Sequence, residues 1–302
     1  MSLVSRLRPL HSNGFGYGST AEDVTRDLDL SSQTILLTGC AAGLGRETLM
    51  ALSRRGARVI ATARSEAQAR EACAGFAQAL PLACDLANPG SVRACAQAIR
   101  QQAPALDAII CNAGIMALAE LQQVFGYEKQ FFTNHIGHFL LVTQLLDRLA
   151  ARGRVVVVSS NAHRRAPREG IQFGNLSGDA GYNPFKMYGQ SKLANLLFSS
   201  ELSRRLPQGQ SSNALHPGVI ATSLSRSLPI GVRAALRVLT PLALKSPAQG
   251  AATQCYVAVH PAMQSTGRYF IDCNPAAPSA HGNDADLARR LWDTSERIVA
   301  GL

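Results

Sequence analysis

From Thr34 onward, short apolar runs alternate with longer stretches in which apolar residues recur every three or four positions. "TILLT" (34–38) reads as a β-strand, and "GLGRETLMALSRRG" after it as an amphipathic helix ending at Gly56. "ARVIATA" with "SEAQAREACAGFAQAL", then "LPLACDL" with "SVRACAQAIRQQA", repeat the strand–helix unit. "LDAIICNAG" predicts a fourth strand and residues 118–151 a longer helical stretch. "RVVVVSS" (Arg154 to Ser160) is apolar on both faces, as an interior strand of a parallel sheet must be. "FKMYGQSKLANLLFSSELSRRL" predicts another long helix, "SSNALHPG" a sixth strand and "GRYFI" (Gly267 to Ile271) a seventh. Such alternation implies an α/β fold: a doubly wound, mostly parallel seven-stranded sheet flanked by helices, with right-handed crossovers. Residues 1–31 are polar and Gly/Ser-containing and read as an N-terminal arm, extended or a short helix leading into the domain; 32–302 read as one domain without repeats or linkers.

Composition narrows the picture. Of 302 residues, 46% are hydrophobic and 17% charged, which supports a soluble chain with a substantial core. The net charge of +10 could signal a nucleic-acid partner, but the basic residues are scattered arginines with only four lysines. An anionic cofactor or substrate accounts for positive charge as well, so no nucleic-acid partner is expected. Seven dispersed cysteines without a CxxC pair argue for a reducing compartment and against disulfides or a metal site. No signal peptide and no spanning segment is predicted, and cytoplasm is the default.

The loop "TGCAAGLG" lies between the first strand and first helix and carries Gly39, Ala42, Gly43, Leu44 and Gly45. Glycines there permit a tight turn and close approach of a pyrophosphate, while the helix N-terminus offers free N–H groups. This is a dinucleotide site of the Rossmann kind. An acid at the end of the second strand would favour a free ribose hydroxyl, but the residues are Ala63 and Arg64. A guanidinium can pair bidentately with a 2′-phosphate, so NADP(H) is expected over NAD(H), with Arg46 as a further candidate contact.

Late in the chain, "YGQSK" sets Tyr188 and Lys192 four apart, on one face of a helix. Together with "TGCAAGLG", "CNAG" (Cys111 to Gly114), Asn134 in "TNHIGHFLL", "VVVVSS" and "HPG" (His216 to Gly218), it resembles the short-chain dehydrogenase/reductase family. The forms "NHIGHFLL", "SKLANLLF" and "LWDTSE" look most like the branch of retinol dehydrogenases and WW-domain oxidoreductases, without a WW module. The resemblance implies a catalytic quartet of Asn134, Ser160, Tyr188 and Lys192. It further implies cofactor contacts from Asp85 and Leu86 after the third strand, from Asn112, Ala113 and Gly114 after the fourth, and from Pro217, Gly218, Ile220 and Thr222 around the nicotinamide. Two departures stand out. Cys111-Asn112 replaces the usual double asparagine, and the Ser160–Tyr188 spacing is longer than in compact members.

A phenol with pKa about 10 must come down by about three units, roughly 4 kcal/mol, to serve as a base near neutrality. One ammonium at about 4 Å supplies that order at an effective dielectric of about 20, so Lys192 is expected to lower Tyr188. Ser160 would donate to the substrate oxygen, and Asn134 would hold a relay water beside Lys192. His216 and His163 are read as strand-end structural histidines. Residues 223–245 are apolar with Arg226, Arg233, Arg237 and Lys245 and resemble a substrate lid. The segment suggests a lipophilic carbonyl or alcohol substrate and leaves peripheral membrane contact open. The expected activity is carbonyl–alcohol interconversion with NADP(H). Alternatives are reduction of an activated C=C bond or a non-catalytic NADP-binding sensor, and both monomer and homodimer stay open.

Overall fold

The first strand is why the sheet has two covered faces. Within β1 (Thr34–Thr38), Ile35 and Leu37 enter one hydrophobic core while Leu36 enters the other, the period of two that a pleated strand imposes. In the computed structural model, which describes residues 9–220 and 244–302, this alternation recurs across the sheet. A short helix α1 (Ala21–Thr25) precedes β1; α2 (Gly43–Arg54), β2 (Arg58–Ala63), α3 (Glu66–Cys73), β3 (Leu80–Ala83), α4 (Pro89–Gln102) and β4 (Leu106–Cys111) follow. A small ribbon of β5 (Gln123–Val124) and β6 (Tyr127–Glu128) leads into α5. This helix runs Lys129–Phe131, widens to a π-helical turn over Phe132–Ile136 and continues as Gly137–Thr143. Then come β7 (Leu149–Val158), α6 (Pro184–Arg205), β8 (Ser211–His216), α7 (Pro247–Val259), β9 (Tyr269–Ile271), β10 (Asn274–Ala276) and α8 (Ala285–Ala300).

The main sheet is ordered β10-β9-β8-β7-β4-β1-β2-β3. All neighbours are parallel except β10, which pairs antiparallel with β9. The chain steps outward from β1 to β3 and then returns to β4 on β1's other side. Ligands of open α/β sheets bind at such a switch point, beyond the carboxyl ends of the strands. One core packs α2, α7 and α1 on the sheet; the other packs α4, α5, α6 and Trp292 of α8. Each fully buried Leu or Val there contributes about 1.5–3 kcal/mol relative to exposure.

Several expectations need correction. The sheet has eight strands, not seven, because Asp272 and Cys273 turn with positive φ (53° and 64°) and return the chain as β10. Residues 118–151 are not one helix. Positive φ at Ala117, Phe125 and Gly126 breaks the apolar run into a loop and ribbon, and strand β7 already begins at Leu149. Over its described part the N-terminal stretch takes the short-helix form of the two expected. Thr20 closes a capping box with Asp23, and Ala21, Val24 and Leu30 are core residues. Thr222 and most of the expected 223–245 segment lie outside the described residues.

Candidate active site

Helix α6 is started by Asn183, whose side chain accepts from the N–H groups of Phe185 and Lys186, with Pro184 in the first turn. That start fixes Tyr188 and Lys192 on successive turns. Gly189 lets the helix close onto the chain after β7: a Cβ there would lie 2.7 Å from the Ala162 carbonyl oxygen. The contact seats Tyr188 beside Ser160, which follows β7. Of the serine pair, Ser160 faces the phenol. Ser159 is buried and donates to the Lys192 carbonyl at 2.7 Å.

The electrostatics differ from the expectation. Burial pushes the Tyr188 phenol up to about 12, with only the Ser160 hydroxyl pulling it down. The Lys192 ammonium lies 5.8 Å from the centre of the Tyr188 ring and donates to the Val158 carbonyl at 3.0 Å. Burial depresses Lys192 to about 8. Desolvation therefore outweighs the attraction expected between phenolate and ammonium: both groups resist charge in this dry corner. Lys192 still holds its proton at pH 7.

Asn134 occupies the π-helical turn of α5, an irregularity frequent at functional sites. Its side chain donates to the Ile115 carbonyl and to Ser191 Oγ (both 2.9 Å) and accepts from the Ile115 N–H at 2.8 Å. Gly114 touches both members of the pair: a Cβ there would lie 3.1 Å from Asn134 Oδ1 and 3.4 Å from Lys192 Nζ. The fold thus brings Asn134, Ser160, Tyr188 and Lys192 to one place, at the carboxyl ends of β4 and β7.

Two residues to which the sequence alone assigns no role complete this corner. His138 Nδ1 sits 2.9 Å from the Asn134 carbonyl and must donate to it; Nε2 then accepts from Thr38 Oγ1 at 2.9 Å. Burial holds this imidazole down near 4, so it stays neutral and keeps that tautomer. Thr38 Oγ1 in turn accepts from the N–H groups of Asn112 and Ala113, both 3.0 Å. The end of β1, the start of the "NAG" loop and the π-turn are thereby locked together. The signal available in the sequence was a histidine four residues after Asn134, on the same helix face.

The glycine loop suits a dinucleotide. Gly39 has φ 75° and Gly43 φ 55°, and a Cβ on Gly45 would lie 2.0 Å from the Gly39 carbonyl oxygen, so only glycine closes the coil. Ala42 stands at the N-cap of α2 and gives no side-chain hydrogen bond, and the first turn holds no acid. Its N–H groups are left for an anion. Asn112 Nδ2 donates to the Thr38 carbonyl at 2.8 Å and braces the loop from beneath. Arg64 is exposed at the end of β2, next to buried Ala63, and has no ion-pair partner among the described residues. Arg46 is likewise exposed. Asp85 is half-buried, its carboxylate accepting from the Ala87 N–H at 3.0 Å; Leu86 is buried against Gly137.

On the opposite rim, Pro217 is buried, Gly218 has φ 98°, and Ile220 packs with Leu44 against Gly250 of α7. The segment after β8 therefore borders the glycine loop. His163 is satisfied structurally, with Nδ1 on the Ser160 carbonyl (2.6 Å) and Nε2 accepting from the Ser279 N–H (3.0 Å). Buried His216 leaves Nδ1 without a hydrogen-bond partner among the described residues. A surface cavity of about 540 Å³ between Phe125, Phe173 and Ile298 shares no residue with this site.

Comparison with known proteins accords with this arrangement. The sequence matches the short chain dehydrogenase family over residues 33–231. The chain is 40% identical to "Short-chain dehydrogenase TIC 32 B, chloroplastic" of Brassica napus, with 96% of each chain covered. It is 38% identical to human "Retinol dehydrogenase 14", over 89% of this chain and 87% of that one. The crystal structure of a putative uncharacterized protein from Mycobacterium paratuberculosis superposes with a TM-score of 0.74 at 32% identity, covering 93% of this chain and 97% of that one. With likeness of this extent over nearly its whole length, the chain belongs to the short-chain dehydrogenase family.

Proposed function

We propose that this protein is an NADP(H)-dependent oxidoreductase interconverting a carbonyl and an alcohol on a lipophilic substrate. The observation that supports this most directly is the meeting of Ser160, Tyr188, Lys192 and Asn134 beside the glycine loop. Gly39 to Gly45 and the N-terminus of α2 would hold the pyrophosphate, Asn112 to Gly114 the adenine ribose side, and Gly218 to Ile220 the carboxamide. When bound, the cofactor supplies or accepts hydride. Tyr188, protonated up to high pH, is suited to hand its proton to a carbonyl oxygen as that oxygen gains charge. Ser160 donates a hydrogen bond to the same oxygen. Lys192, charged at pH 7 and fixed by the Val158 carbonyl, stabilises the phenolate left behind. Asn134, held by Ile115 and Ser191, keeps the lysine end of the proton path in place.

Human retinol dehydrogenase 14 is named for a lipophilic alcohol, which supports the substrate class. A panel of retinal-like aldehydes, ketones, quinones and enones with NADPH tests the reading. Turnover of the aldehydes or ketones is expected. Turnover of enones alone would replace it with C=C reduction, and tight NADPH binding without any turnover would make the protein a sensor.

The preference for NADP(H) rests on exposed Arg64, which has no ion-pair partner among the described residues, and on Ala63 where an acid would otherwise stand. Arg64→Asp removes about two charge-assisted hydrogen bonds to a 2′-phosphate and adds repulsion. The ratio of kcat/KM for NADP(H) over NAD(H) is expected to fall about 100-fold. An unchanged ratio would remove Arg64 from the cofactor site. All seven cysteines are buried and free, which accords with a reducing compartment such as the cytoplasm.

A further inference from the structure

Lys245 was read from the sequence as one basic residue of an amphipathic segment, yet its side chain is fully buried. The ammonium pairs with Asp272 Oδ1 at 2.5 Å and lies 4.9 Å over the ring of Tyr17. A buried lysine is costly unless its charge is met, and here a carboxylate and an aromatic face meet it. Its neighbours come from three distant parts of the chain. The Lys245 N–H donates to the Val219 carbonyl at 3.0 Å, and Lys245 forms a parallel bridge with Ile220. The stem presses on Gly218, where a Cβ would lie 2.6 Å from Lys245 Cδ.

The partners of Lys245 are themselves anchored. Asp272 sits in the turn between β9 and β10 with φ 53°. The Cys273 N–H donates to Thr253 Oγ1 of α7 at 3.2 Å. Asn13 Nδ2 donates to the Cys273 carbonyl, and Asn274 Nδ2 to the Phe15 carbonyl, which straps the N-terminal stretch over the same turn. These contacts converge on the backbone of Gly218 to Ile220, and Ile220 packs in turn on Leu44 of the glycine loop through Gly250. The pair is buried, unlike exposed ion pairs such as Arg26–Asp23 and Arg100–Asp147.

We propose that Lys245 is a positioning residue for the nicotinamide half of the cofactor. Held by Asp272 and Tyr17, it sets the backbone of Gly218–Ile220 at a fixed distance from the glycine loop. This rests on the cofactor reading given above. It assigns Lys245 no chemistry with the substrate, and the 2′-phospho-ADP-ribose part, assigned above to Gly39–Gly45, Asn112–Gly114 and Arg64, does not depend on it.

The test separates the two halves. The full chain, its Lys245→Met variant (stem kept, charge removed) and its Asp272→Asn variant are titrated with NADPH and with 2′-phospho-ADP-ribose, which lacks nicotinamide. NADPH affinity is expected to fall about tenfold in each variant, with the nicotinamide-free ligand changing by less than about twofold. The double variant should lose no more than either single one, because the two side chains act as one unit. Equal weakening of both ligands would reduce Lys245 to a folding role, and unchanged NADPH affinity would also overturn the proposal. A wild-type chain that binds neither ligand would overturn the cofactor reading itself, and this inference with it. If Lys245→Met does not fold, Asp272→Asn keeps a hydrogen-bond acceptor beside the lysine and decides the matter alone.

Discussion

Tyr188→Phe is expected to lower kcat by about 10³-fold while leaving NADPH affinity within about twofold, since a positioned general acid contributes about 10²–10⁴-fold. Phenylalanine keeps the half-buried ring and its packing on α6. It removes only the hydroxyl that faces Ser160. Because that hydroxyl is neutral up to about pH 12 in this arrangement, its loss should not disturb the local charge balance at pH 7. The defect is therefore expected in turnover and not in folding. Stopped-flow reduction of an aldehyde under single-turnover conditions, with NADPH binding followed in parallel, makes the check. Retention of a tenth or more of the wild-type rate would show that another group delivers the proton.

Lys192→Met should do two things at once: lose activity and gain stability. An ammonium 5.8 Å from the phenol ring contributes about 3 kcal/mol to a phenolate at an effective dielectric of about 20, on the order of 100-fold in rate. The same ammonium is fully buried with no carboxylate among its hydrogen-bond partners, and burial lowers it from 10.5 to about 8. At pH 7 the folded chain thus carries a cost of about 3 kcal/mol that the unfolded chain does not. Methionine fills similar space without that cost, and the Val158 carbonyl keeps its bond from Asn195. The variant should be more stable by about 1–3 kcal/mol at pH 7. The sign with pH follows. Between pH 8 and 10.5 the unfolded wild type binds more protons than the folded one at this site, so wild-type stability rises and the gap closes. Urea unfolding of both chains at pH 7 and pH 9.5 measures it. A variant less stable than wild type at pH 7 would mean that Lys192 is held by its surroundings and not merely tolerated.

How much of this was legible in the sequence depended on whether the deciding contact was local. β1, β2 and β4 announce themselves through runs such as "TILLT", because a strand covered on both faces is mostly apolar. The glycine loop was readable for the same reason: the clash that forbids a Cβ on Gly45 involves Gly39, six residues away. The start of the 118–151 stretch reads as helix because its apolar content fits one. What breaks it is Gln130, whose buried amide receives the Ala117 N–H at 2.6 Å and so supports a positive φ there. The Tyr188–Lys192 spacing was plain, but the size of the desolvation was not, since burial comes from strands and loops far along the chain. Lys245 was wholly illegible: its counter-charge lies 27 residues later and its aromatic cover near the opposite terminus.

That last arrangement bears on the order in which the molecule can be completed during synthesis. Asn13 waits for Cys273, 260 residues downstream, and the Gly18 carbonyl waits for Gln249, 231 residues downstream. A ribosome must therefore deliver nearly the entire polypeptide before Asn13 and Gly18 find these partners. Contacts of such long sequence separation form late, because chain entropy opposes them until most of the sheet exists. A nascent chain stalled ahead of Asp272 would already display its glycine coil, while Asn13 still lacked its partner at the edge of an unfinished sheet.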